Sequence, residues 1–502
     1  MPNKFYITTP IYYVNAGPHL GHTYTTVAAD VLARMHRLLG EKTFFLTGTD
    51  EHGAKIQEIA EKAGLPPKEF TDNIAGQFKE AWEKLNISND RFIRTTEEEH
   101  MAAVSKALQY MYERGDVYKG SYEGLYCKGC EQFKSENDLV DGLCTDHKTK
   151  PEVMQEESYM FKLSAYADKL RDLIERDELK ILPDSRKNEI LSFYKNEGLK
   201  DISFSRKNVA WGIPVPWDRS HTIYVWADAF LNYLTGIGWD GTSNQPPEFW
   251  PADVQLMSKD ILRVHATIWP AMLLSLGLPL PKTLFVHGFF LIDGQKMSKS
   301  IGNVISPDQL IKRYGVDATR YLLMSATPFG NDGDVNWKQF DDKYNADLAN
   351  GLGNLVQRVA TLIENTYKKE RFDYNLGLIP EETITRLNKA EEKGVREYIK
   401  DFEPHNALGI IWELIGEANL FINIHKPWEL AKNDTDAFIR NMNILLAIIH
   451  KIAWLLQPFM PTTAKDIFTM FGDKGERDIP DGHHFVINKK EGGLFPRLET
   501  QK

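Results

Sequence analysis

The chain has 502 residues, of which 42% are hydrophobic, 26% charged and 11% aromatic, and its formal net charge is −10. This composition suits a globular protein of about three domains, and the negative charge argues against non-specific binding to nucleic acid, although a local basic groove can coexist with it. No secretory signal is recognisable before residue 14, and His450 and Lys451 interrupt the most apolar stretch, 443–459, so we predict a cytoplasmic protein without a membrane span.

The first predicted elements form a strand–helix–strand unit. Residues 4–7 are a short strand that ends at Thr8, residues 22–39 have apolar residues at helical spacing up to Gly40, and residues 42–46 form a second strand. This order predicts a Rossmann-type, doubly wound parallel sheet, whose ligand site lies at the C-terminal ends of its strands.

The rest of the chain departs from this pattern and then returns to it. Parallel-strand patterns recur at residues 222–226 and 283–290, and from residue 347 onward the apolar spacing is helical, with one stripe over 408–422 and another over 438–456. The predicted architecture is an α/β catalytic domain with an insertion, followed by an all-α bundle. The predicted ranges are 1–115 and 221–290 for the two catalytic halves, 116–220 for the connective insertion, 291–346 for a region that contains the loop with Lys296 and Lys299, and 347–502 for the bundle.

All three cysteines of the chain lie in the predicted insertion. Cys127 and Cys130 form one close pair, and after thirteen intervening residues Cys144 and His147 form another. Two such pairs joined by a loop are a common zinc-binding pattern, whereas an odd number of cysteines in a cytoplasmic protein argues against disulfides. With four protein ligands the predicted Zn²⁺ is structural. Scattered buried thiols are the alternative, but every cysteine falls within the pattern.

A first short motif, His19-Leu20-Gly21-His22, lies at the turn between the first strand and the first helix. A helix N-terminus offers free N–H groups and a positive dipole end, which suit a phosphate group. Gly21 would leave room for a nucleotide base against the backbone. Taken alone, the two histidines could equally be incidental caps.

A second motif, Lys296-Met297-Ser298-Lys299-Ser300, follows a strand predicted to end at Ile292. Taken alone, it could equally be a solvated lysine loop. The two motifs occur in order on opposite halves of the split sheet, and together they resemble the signature of class I aminoacyl-tRNA synthetases.

This resemblance implies attack of an amino-acid carboxylate on the α-phosphorus of ATP, a reaction that needs positioning and charge neutralisation rather than a protein nucleophile. His19, Gly21 and His22 would then bind ATP, Lys296 and Lys299 would hold its pyrophosphate end, and Mg²⁺ would share the charge. Transfer to the terminal ribose of tRNA would follow.

Further segments resemble the methionyl members of the family. Asp50 would accept the substrate ammonium group, although an aspartate here could also be an ordinary helix cap. An apolar, aromatic pocket suits a thioether, yet core packing is the commoner role of residues such as Trp226 and Ile261. Arg206 is expected to pair with Asp260. The resemblance implies the methionine-binding residues Ile11, Tyr13, Asp50, Trp226, Ala229, Tyr233, Asp260, Ile261 and His265.

In the predicted bundle, Asn354 and Arg358 lie four residues apart on one helix face, and Trp428 follows another helix. By resemblance these residues bind the anticodon, since Asn and Arg can address base edges and Trp can stack on an unpaired base. Without the resemblance, Trp428 would be read as a buried bundle residue.

The resemblance runs from Phe5 to about Phe471 and implies methionine, ATP and tRNA, both initiator and elongator, as partners, with one zinc ion. Many bacterial members continue into a C-terminal module that dimerises. We find no such module in the sequence and expect a monomer, or else a shortened chain.

Three alternatives remain open. A nucleotidylyltransferase also uses an H-x-G-H motif, but it would leave the zinc pattern and the helical region unexplained. A catalytically silent tRNA-binding protein of synthetase descent would not need the intact histidines, lysines and Asp50. A synthetase for a branched-chain amino acid would carry a larger insertion, and one for cysteine would place zinc in its amino-acid pocket.

Overall fold

The computed structural model describes residues 3–130, 132–134, 139–207, 209–242, 245–297, 302–367, 371–490 and 492–499. The chain divides into two compact units. The first contains residues 1–18, 40–83 and 87–287, and the second contains residues 19–39, 84–86 and 288–502. The five ranges predicted from the sequence remain predictions.

Strands occur mainly in the first unit, and many of them are short. In chain order they are β1 Lys4–Tyr13, β2 Lys42–Asp50, β3 Arg91–Arg94, β4 Val117–Cys127, β5 Gln132–Lys134, β6 Leu139–Val140, β7 Leu143–Cys144, β8 Glu152–Phe161, β9 Lys180–Leu182, β10 Ile202–Ser203, β11 Ser205–Arg206, β12 Pro214–Val215, β13 Asp218–Ile223, β14 Val254–Ser258, β15 Thr283–His287, β16 Phe290–Ile292, β17 Gln295–Lys296, β18 Gly333–Val335, β19 Phe372–Asp373 and β20 His484–Phe485.

Helices dominate the second unit. In chain order the α-helices are α1 Leu20–Leu38, α2 Ala54–Lys62, α3 Pro67–Lys84, α4 Glu98–Glu113, α5 Ala167–Glu175, α6 Asp184–Asn196, α7 Val225–Ala229, α8 Asn232–Thr235, α9 Leu262–Leu276, α10 Pro307–Tyr314, α11 Val316–Ser325, α12 Trp337–Lys343, α13 Asn354–Tyr367, α14 Glu381–Glu391, α15 Tyr398–Lys400, α16 Pro404–His425, α17 Pro427–Asn433, α18 Thr435–Leu456 and α19 Pro461–Phe471. Short 3₁₀ turns cover Leu163–Tyr166, Lys259–Ile261 and Leu376–Leu378, and π-helical turns cover Tyr344–Gly353 and Glu392–Glu397.

A six-stranded parallel sheet forms the centre of the first unit, in the order β3-β2-β1-β14-β15-β9. Its central strands have fully buried side chains such as Ile7, Phe45 and Leu256, as expected for a parallel sheet covered on both faces. The predicted doubly wound α/β fold is therefore confirmed.

The first strand is longer than predicted. It was expected to end at Thr8, but β1 continues to Tyr13 across a register shift between Thr8 and Ile11. Pro10 lies inside this irregularity, where a residue without an N–H group can be tolerated. The extension carries Ile11 and Tyr13 to the C-terminal end of the sheet.

The prediction of a parallel strand at residues 222–226 was wrong. β13 is antiparallel to β11 and β12, and α7 begins at Val225. The strand that pairs with β1 on the side away from β2 is β14, which sequence analysis missed because a five-residue strand is too short to show a decisive period. The parallel strand predicted at residues 283–290 is β15, which ends at His287.

The predicted insertion contains a four-stranded antiparallel sheet in the order β10-β8-β4-β5. Its two long strands, β4 and β8, pair from Val117 opposite Phe161 to Tyr126 opposite Glu152. The hairpin of β6 and β7 lies between them in sequence and carries Cys144.

In the second unit, the two predicted apolar stripes lie on α16 and α18 and are buried, as Leu408, Ile415 and Leu445 illustrate. Both helices are long and apolar enough to cross a membrane by length and composition alone. Within the apolar window of α18, however, 83% of the residues are buried inside the protein, as in a core helix.

A buried arginine joins α1 to the rest of the second unit. Arg320 on α11 is fully buried and forms an ion pair with Asp30 of α1 at 2.6 Å. Its remaining N–H groups donate to the carbonyl oxygens of Leu85, Pro458 and Phe459. A buried charge requires such complete pairing, so this residue fixes the helix that begins with the two histidines.

Candidate functional site

The two histidines of the first motif cap α1 together. The backbone N–H of Gly21 donates to Nδ1 of His19 at 3.1 Å, and the backbone N–H of His19 donates to Nδ1 of His22 at 3.4 Å. The two rings are stacked with their centroids 3.7 Å apart. This is a reciprocal capping box built from imidazoles.

The cap determines where each ring carries its proton. Because each Nδ1 accepts a backbone hydrogen bond, the neutral ring carries its proton on Nε2. Burial, and secondarily the neighbouring His19, holds the pKa of His22 well below its usual value. His22 is therefore a neutral ring with its proton on Nε2.

The backbone at this helix end is less available than the sequence indicated. The N–H of Leu20 donates to the carbonyl of Ile305 at 2.8 Å, and that of Gly21 is used by His19. The expectation of free N–H groups is therefore wrong for these two residues. A Cβ at Gly21 would lie only 3.0 Å from the ring of His19, so any larger residue there would crowd the stacked pair.

The start of the lysine motif lies beside the same helix end. A Cβ at Gly21 would be 3.9 Å from Cε of Met297. Lys296 on β17 is exposed, and its Nζ lies 4.7 Å from the centroid of the Phe289 ring. Lys299, with Ser298 and Ser300, lies outside the described residues.

Several predicted pocket residues come together in the first unit. Trp226 of α7 and Tyr233 of α8 both lie against His265 of α9, with ring centroids 6.4 and 6.0 Å from the imidazole. Asp50, at the end of β2, is 8% exposed, and its charge contributes to the raised pKa of Tyr233, after burial and Tyr12. The three aromatic groups are therefore neighbours, and the carboxylate is close enough to Tyr233 to act on it electrostatically.

The other predicted pocket residues occupy the surrounding elements. Ile11, on β1, and Ile261, in a 3₁₀ turn, are partly buried against the same core as Trp226, and Ala229 is buried on α7. Tyr13 packs instead against a neighbouring apolar cluster around Val14 and Ile56.

His265 is held as a neutral ring by two bonds. Its Nδ1–H donates to the carbonyl of Ile261 at 2.8 Å, and the hydroxyl of Tyr233 donates to its Nε2 at 2.8 Å. Burial lowers the pKa of His265 to about 4. The imidazole therefore stays uncharged at neutral pH and belongs to an apolar wall.

Arg206 and Asp260 both lie in the described part of the chain, and there they bind other groups than each other. Asp260 accepts a hydrogen bond from Ser258, while the Arg206 guanidinium donates to Ser203 Oγ at 2.7 Å and to the Ser205 carbonyl at 2.8 Å. Arg206 also lies 4.2 Å from the centroid of the Tyr224 ring.

Sequence analysis missed the groups that hold Asp50 in place. The next residue, Glu51, is fully buried, and its carboxylate is bound by Arg94 at 2.6 and 2.8 Å. Thr49 and Thr96 also donate to it, each at 2.6 Å. The run of ionisable residues at the end of an apolar strand, Asp50-Glu51-His52, was the signal that could have indicated such a network.

The predicted metal ligands converge. The thiol sulfurs of Cys127, Cys130 and Cys144 and a ring nitrogen of His147 all lie within 4.8 Å of one another, and the cysteines form no disulfide. A Cβ at Gly129 would come 2.5 Å from the His147 ring, so this turn needs a glycine. The cluster could hold one tetrahedral metal ion, and its thiolate-rich donor set suits zinc.

The predicted anticodon residues lie on α13 and α17 in the second unit. The Arg358 guanidinium donates to Asn423 at 3.1 Å and lies 5.8 Å from the centroid of the Trp428 ring. Trp428 is 41% exposed, so the alternative of a buried bundle residue is wrong. Asn354 is exposed at the first turn of α13.

Two sequence families match the chain. The family described as tRNA synthetases class I (M) matches residues 5–148 and 134–360. The anticodon-binding domain of tRNA ligases matches residues 381–485. Together these matches cover both units.

Relatives and solved structures match over nearly the whole chain. A methionine–tRNA ligase of Clostridium acetobutylicum is 47% identical over 99% of this chain and 79% of its own length. One of Streptomyces coelicolor is 40% identical over 99% of this chain and 97% of its own length. The structure of Mycobacterium tuberculosis methionyl-tRNA synthetase in complex with methionyl-adenylate is 37% identical and aligns with a TM-score of 0.92 over 99% of this chain.

Proposed function

Because the chain belongs to the methionyl-tRNA synthetase family, we propose that it is a methionine–tRNA ligase that uses ATP to form methionyl-tRNA. The observation that carries the proposal is the near full-length similarity to a synthetase whose structure contains methionyl-adenylate. The silent tRNA-binding protein and the nucleotidylyltransferase are less favoured, since relatives named methionine–tRNA ligases match over both units.

In the activation step, a carboxylate oxygen of methionine attacks the α-phosphorus of ATP, the bond between this phosphorus and the bridging oxygen breaks, and pyrophosphate leaves. The Nε2–H groups of His19 and His22 donate to phosphate oxygens whose charge grows in the transition state. Donors fixed by the helix cap suit this role because they need no reorganisation. Lys296 and Lys299 bind the departing pyrophosphate. Bound Mg²⁺ supplies further neutralisation of phosphate charge.

Methionine binds in the first unit. Asp50 accepts the ammonium group, and Trp226, Tyr233 and His265 provide an aromatic wall for the thioether, since sulfur makes favourable contacts with aromatic rings. The neutral state of His265 keeps that wall free of charge. Ile11, Tyr13, Ala229, Asp260 and Ile261 complete the proposed set.

In the transfer step, the 2′-hydroxyl of the terminal ribose of tRNA attacks the methionyl carbonyl carbon, and AMP leaves. The anticodon binds at Asn354, Arg358 and Trp428. The exposed indole beside a guanidinium is suited to stack on an unpaired base.

The cluster of Cys127, Cys130, Cys144 and His147 binds one structural Zn²⁺ in this proposal. Four protein ligands leave no coordination position for a substrate. The zinc would fix the short hairpins of the insertion.

Three further properties remain predictions: a cytoplasmic location, a monomeric state and the charging of both initiator and elongator tRNA. Sedimentation of the purified protein would test the second, and separate charging assays with the two tRNAs would test the third.

The test of the proposed function is ATP–pyrophosphate exchange with each of the twenty amino acids in the absence of tRNA. We expect exchange with methionine and essentially none with the others. Exchange with a different amino acid would overturn the proposed pocket. Absence of exchange from folded, metal-loaded protein would favour a silent tRNA-binding protein, and adenylyl transfer to a nucleotide substrate would favour a nucleotidylyltransferase.

A further inference from the structure

A buried carboxylate in the wall of the methionine pocket is bound by two histidines. Asp228 lies on α7 between Trp226 and Ala229 and is 1% exposed. Its Oδ2 is 2.6 Å from Nδ1 of His52, and its Oδ1 is 2.8 Å from Nε2 of His100. Both histidines are also buried. We call this group the His–Asp–His chain.

The direction of each hydrogen bond in the chain follows from the carboxylate. An ionised carboxylate only accepts, so His52 donates from Nδ1–H and His100 donates from Nε2–H. The hydroxyl of Thr235 then donates to Nδ1 of His100 at 2.7 Å. Burial raises the pKa of Asp228, but the opposing effects of His52 and His100 outweigh it and keep the pKa below its ordinary value. Asp228 is therefore a charged, fully bonded acceptor.

The His–Asp–His chain joins elements that carry the two ends of the proposed substrate site. His52 directly follows Asp50 and Glu51 at the end of β2, while Asp228 is part of the helix that carries the pocket wall. His100 and Thr235 extend the connection to α4 and α8. One buried carboxylate thus connects four elements of the first unit.

Further hydrogen bonds to Glu51 also hold the segment around Asp50 in place. The Glu51 carboxylate is bound by Arg94, and the indole N–H of Trp211 donates to the Glu51 carbonyl at 2.6 Å. The Glu51 N–H donates to Thr95 Oγ1 at 3.0 Å. His52 is therefore the point at which this fixed strand end is connected to α7.

We propose that the His–Asp–His chain sets the separation between the carboxylate of Asp50 and the pocket wall on α7, and thereby the length of amino-acid side chain that the enzyme accepts. The inference rests on the proposed function, because it assigns the ammonium group to Asp50 and the side chain to the wall at Trp226 and Ala229. Discrimination by one methylene group amounts to about 10- to 200-fold in an apolar pocket, and it requires walls at a fixed distance. Asp228 is thus a positioning residue.

The first test is Asp228→Asn in ATP–pyrophosphate exchange. The amide nitrogen of asparagine would face an imidazole N–H, so one of the two bonds is lost without a change in side-chain size. We expect the KM for methionine to rise about 10-fold and the KM for ATP to stay within about 2-fold. We also expect the preference for methionine over ethionine, which is one methylene longer, to fall about 10-fold.

A pair of substitutions at His52 separates positioning from mere packing. The amide nitrogen of asparagine can take the place of Nδ1, so His52→Asn should retain the bond to Asp228 and most of the preference for methionine. His52→Leu fills the same space without a donor and should lose the preference as Asp228→Asn does. This pair also carries the test if Asp228→Asn fails to fold.

The matched control is Glu391→Gln, which alters another buried carboxylate, the partner of Lys451 in the second unit. It should lower stability but leave the methionine-to-ethionine preference unchanged. Unchanged preference in Asp228→Asn, equal preference in the two His52 variants, or a loss in Glu391→Gln would each overturn the inference. If the unaltered protein shows no methionine-dependent exchange, the proposed function itself has failed.

Discussion

At the scale of single residues, the tautomer of His22 decides which substitutions should preserve activation. Its Nδ1 is occupied by the His19 backbone N–H, so only Nε2–H is proposed to contact phosphate. Glutamine places an amide N–H near the position of Nε2, whereas asparagine reaches only the position of Nδ1. We expect His22→Asn and His22→Ala to lower kcat for exchange by about 10²- to 10³-fold, the usual cost of one transition-state donor, and His22→Gln to lose less than about 10-fold.

The measurement is steady-state ATP–pyrophosphate exchange at saturating methionine. The KM for methionine, measured for each variant, serves as the control because His22 has no proposed contact with the amino acid. Equal activity of the glutamine and asparagine variants would contradict the tautomer, and normal activity of the alanine variant would contradict the phosphate role.

A second residue-scale prediction concerns acid stability. The pKa of buried His265 is lowered to about 4, whereas an unfolded histidine titrates near 6.5. As the pH falls, His265 is therefore protonated in the unfolded chain before it is protonated in the native protein. Its contribution to the free energy of unfolding is fully present above pH 6.5 and is lost as the pH falls towards 4. Between pH 7 and pH 5 the loss amounts to about 2 kcal/mol.

This loss can be isolated by comparing the unaltered protein with His265→Asn, which does not titrate but keeps a donor for the Ile261 carbonyl. Chemical unfolding is measured at pH 7 and at pH 5. Between these values the free energy of unfolding should fall by about 2 kcal/mol more in the unaltered protein than in the variant. Parallel pH profiles of the two proteins would show that His265 is protonated in the native state.

At the scale of elements, the metal-binding hairpin should depend on its ligands more than on its packing. Cys127→Ser replaces a thiolate with a poor zinc ligand, so we expect the metal content to fall from about one ion per chain to well below one. Elemental analysis after dialysis measures this directly. The control is Lys128→Ala, which alters an exposed side chain between two ligands and should retain the metal. Full occupancy in Cys127→Ser would exclude this ligand set.

The elements also show which parts of the fold could be predicted from sequence. Long periodic patterns predicted α16 and α18 correctly because their buried stripes repeat over several turns. β14 was missed because its five residues, Val254–Ser258, are too few to establish a period. β13 was misread as parallel because an apolar run does not reveal the direction of its partner.

The site, like the fold, was only partly predictable from the sequence. The spacing of Cys127, Cys130, Cys144 and His147 predicted their convergence. Each close pair lies on one tight turn, and a short loop can bring the two turns together. The His–Asp–His chain was not predicted, since His52, His100 and Asp228 are distant in sequence and meet only through tertiary packing. The imidazole cap of α1 was given in the sequence analysis only as the alternative to a phosphate site, because histidine is not an ordinary capping residue.

At the scale of the whole molecule, the proposed activation residues and the anticodon residues can be separated by experiment, because exchange needs no tRNA. Trp428→Ala removes an exposed indole from the second unit. Stacking on one base contributes about 1–3 kcal/mol, so kcat/KM for aminoacylation of tRNA should fall about 5- to 150-fold. Methionine-dependent exchange should remain unchanged. Ile424→Ala, which alters another exposed side chain on the preceding helix, should leave both activities intact. Equal losses in the two variants, or a parallel loss of exchange in Trp428→Ala, would contradict anticodon binding by Trp428.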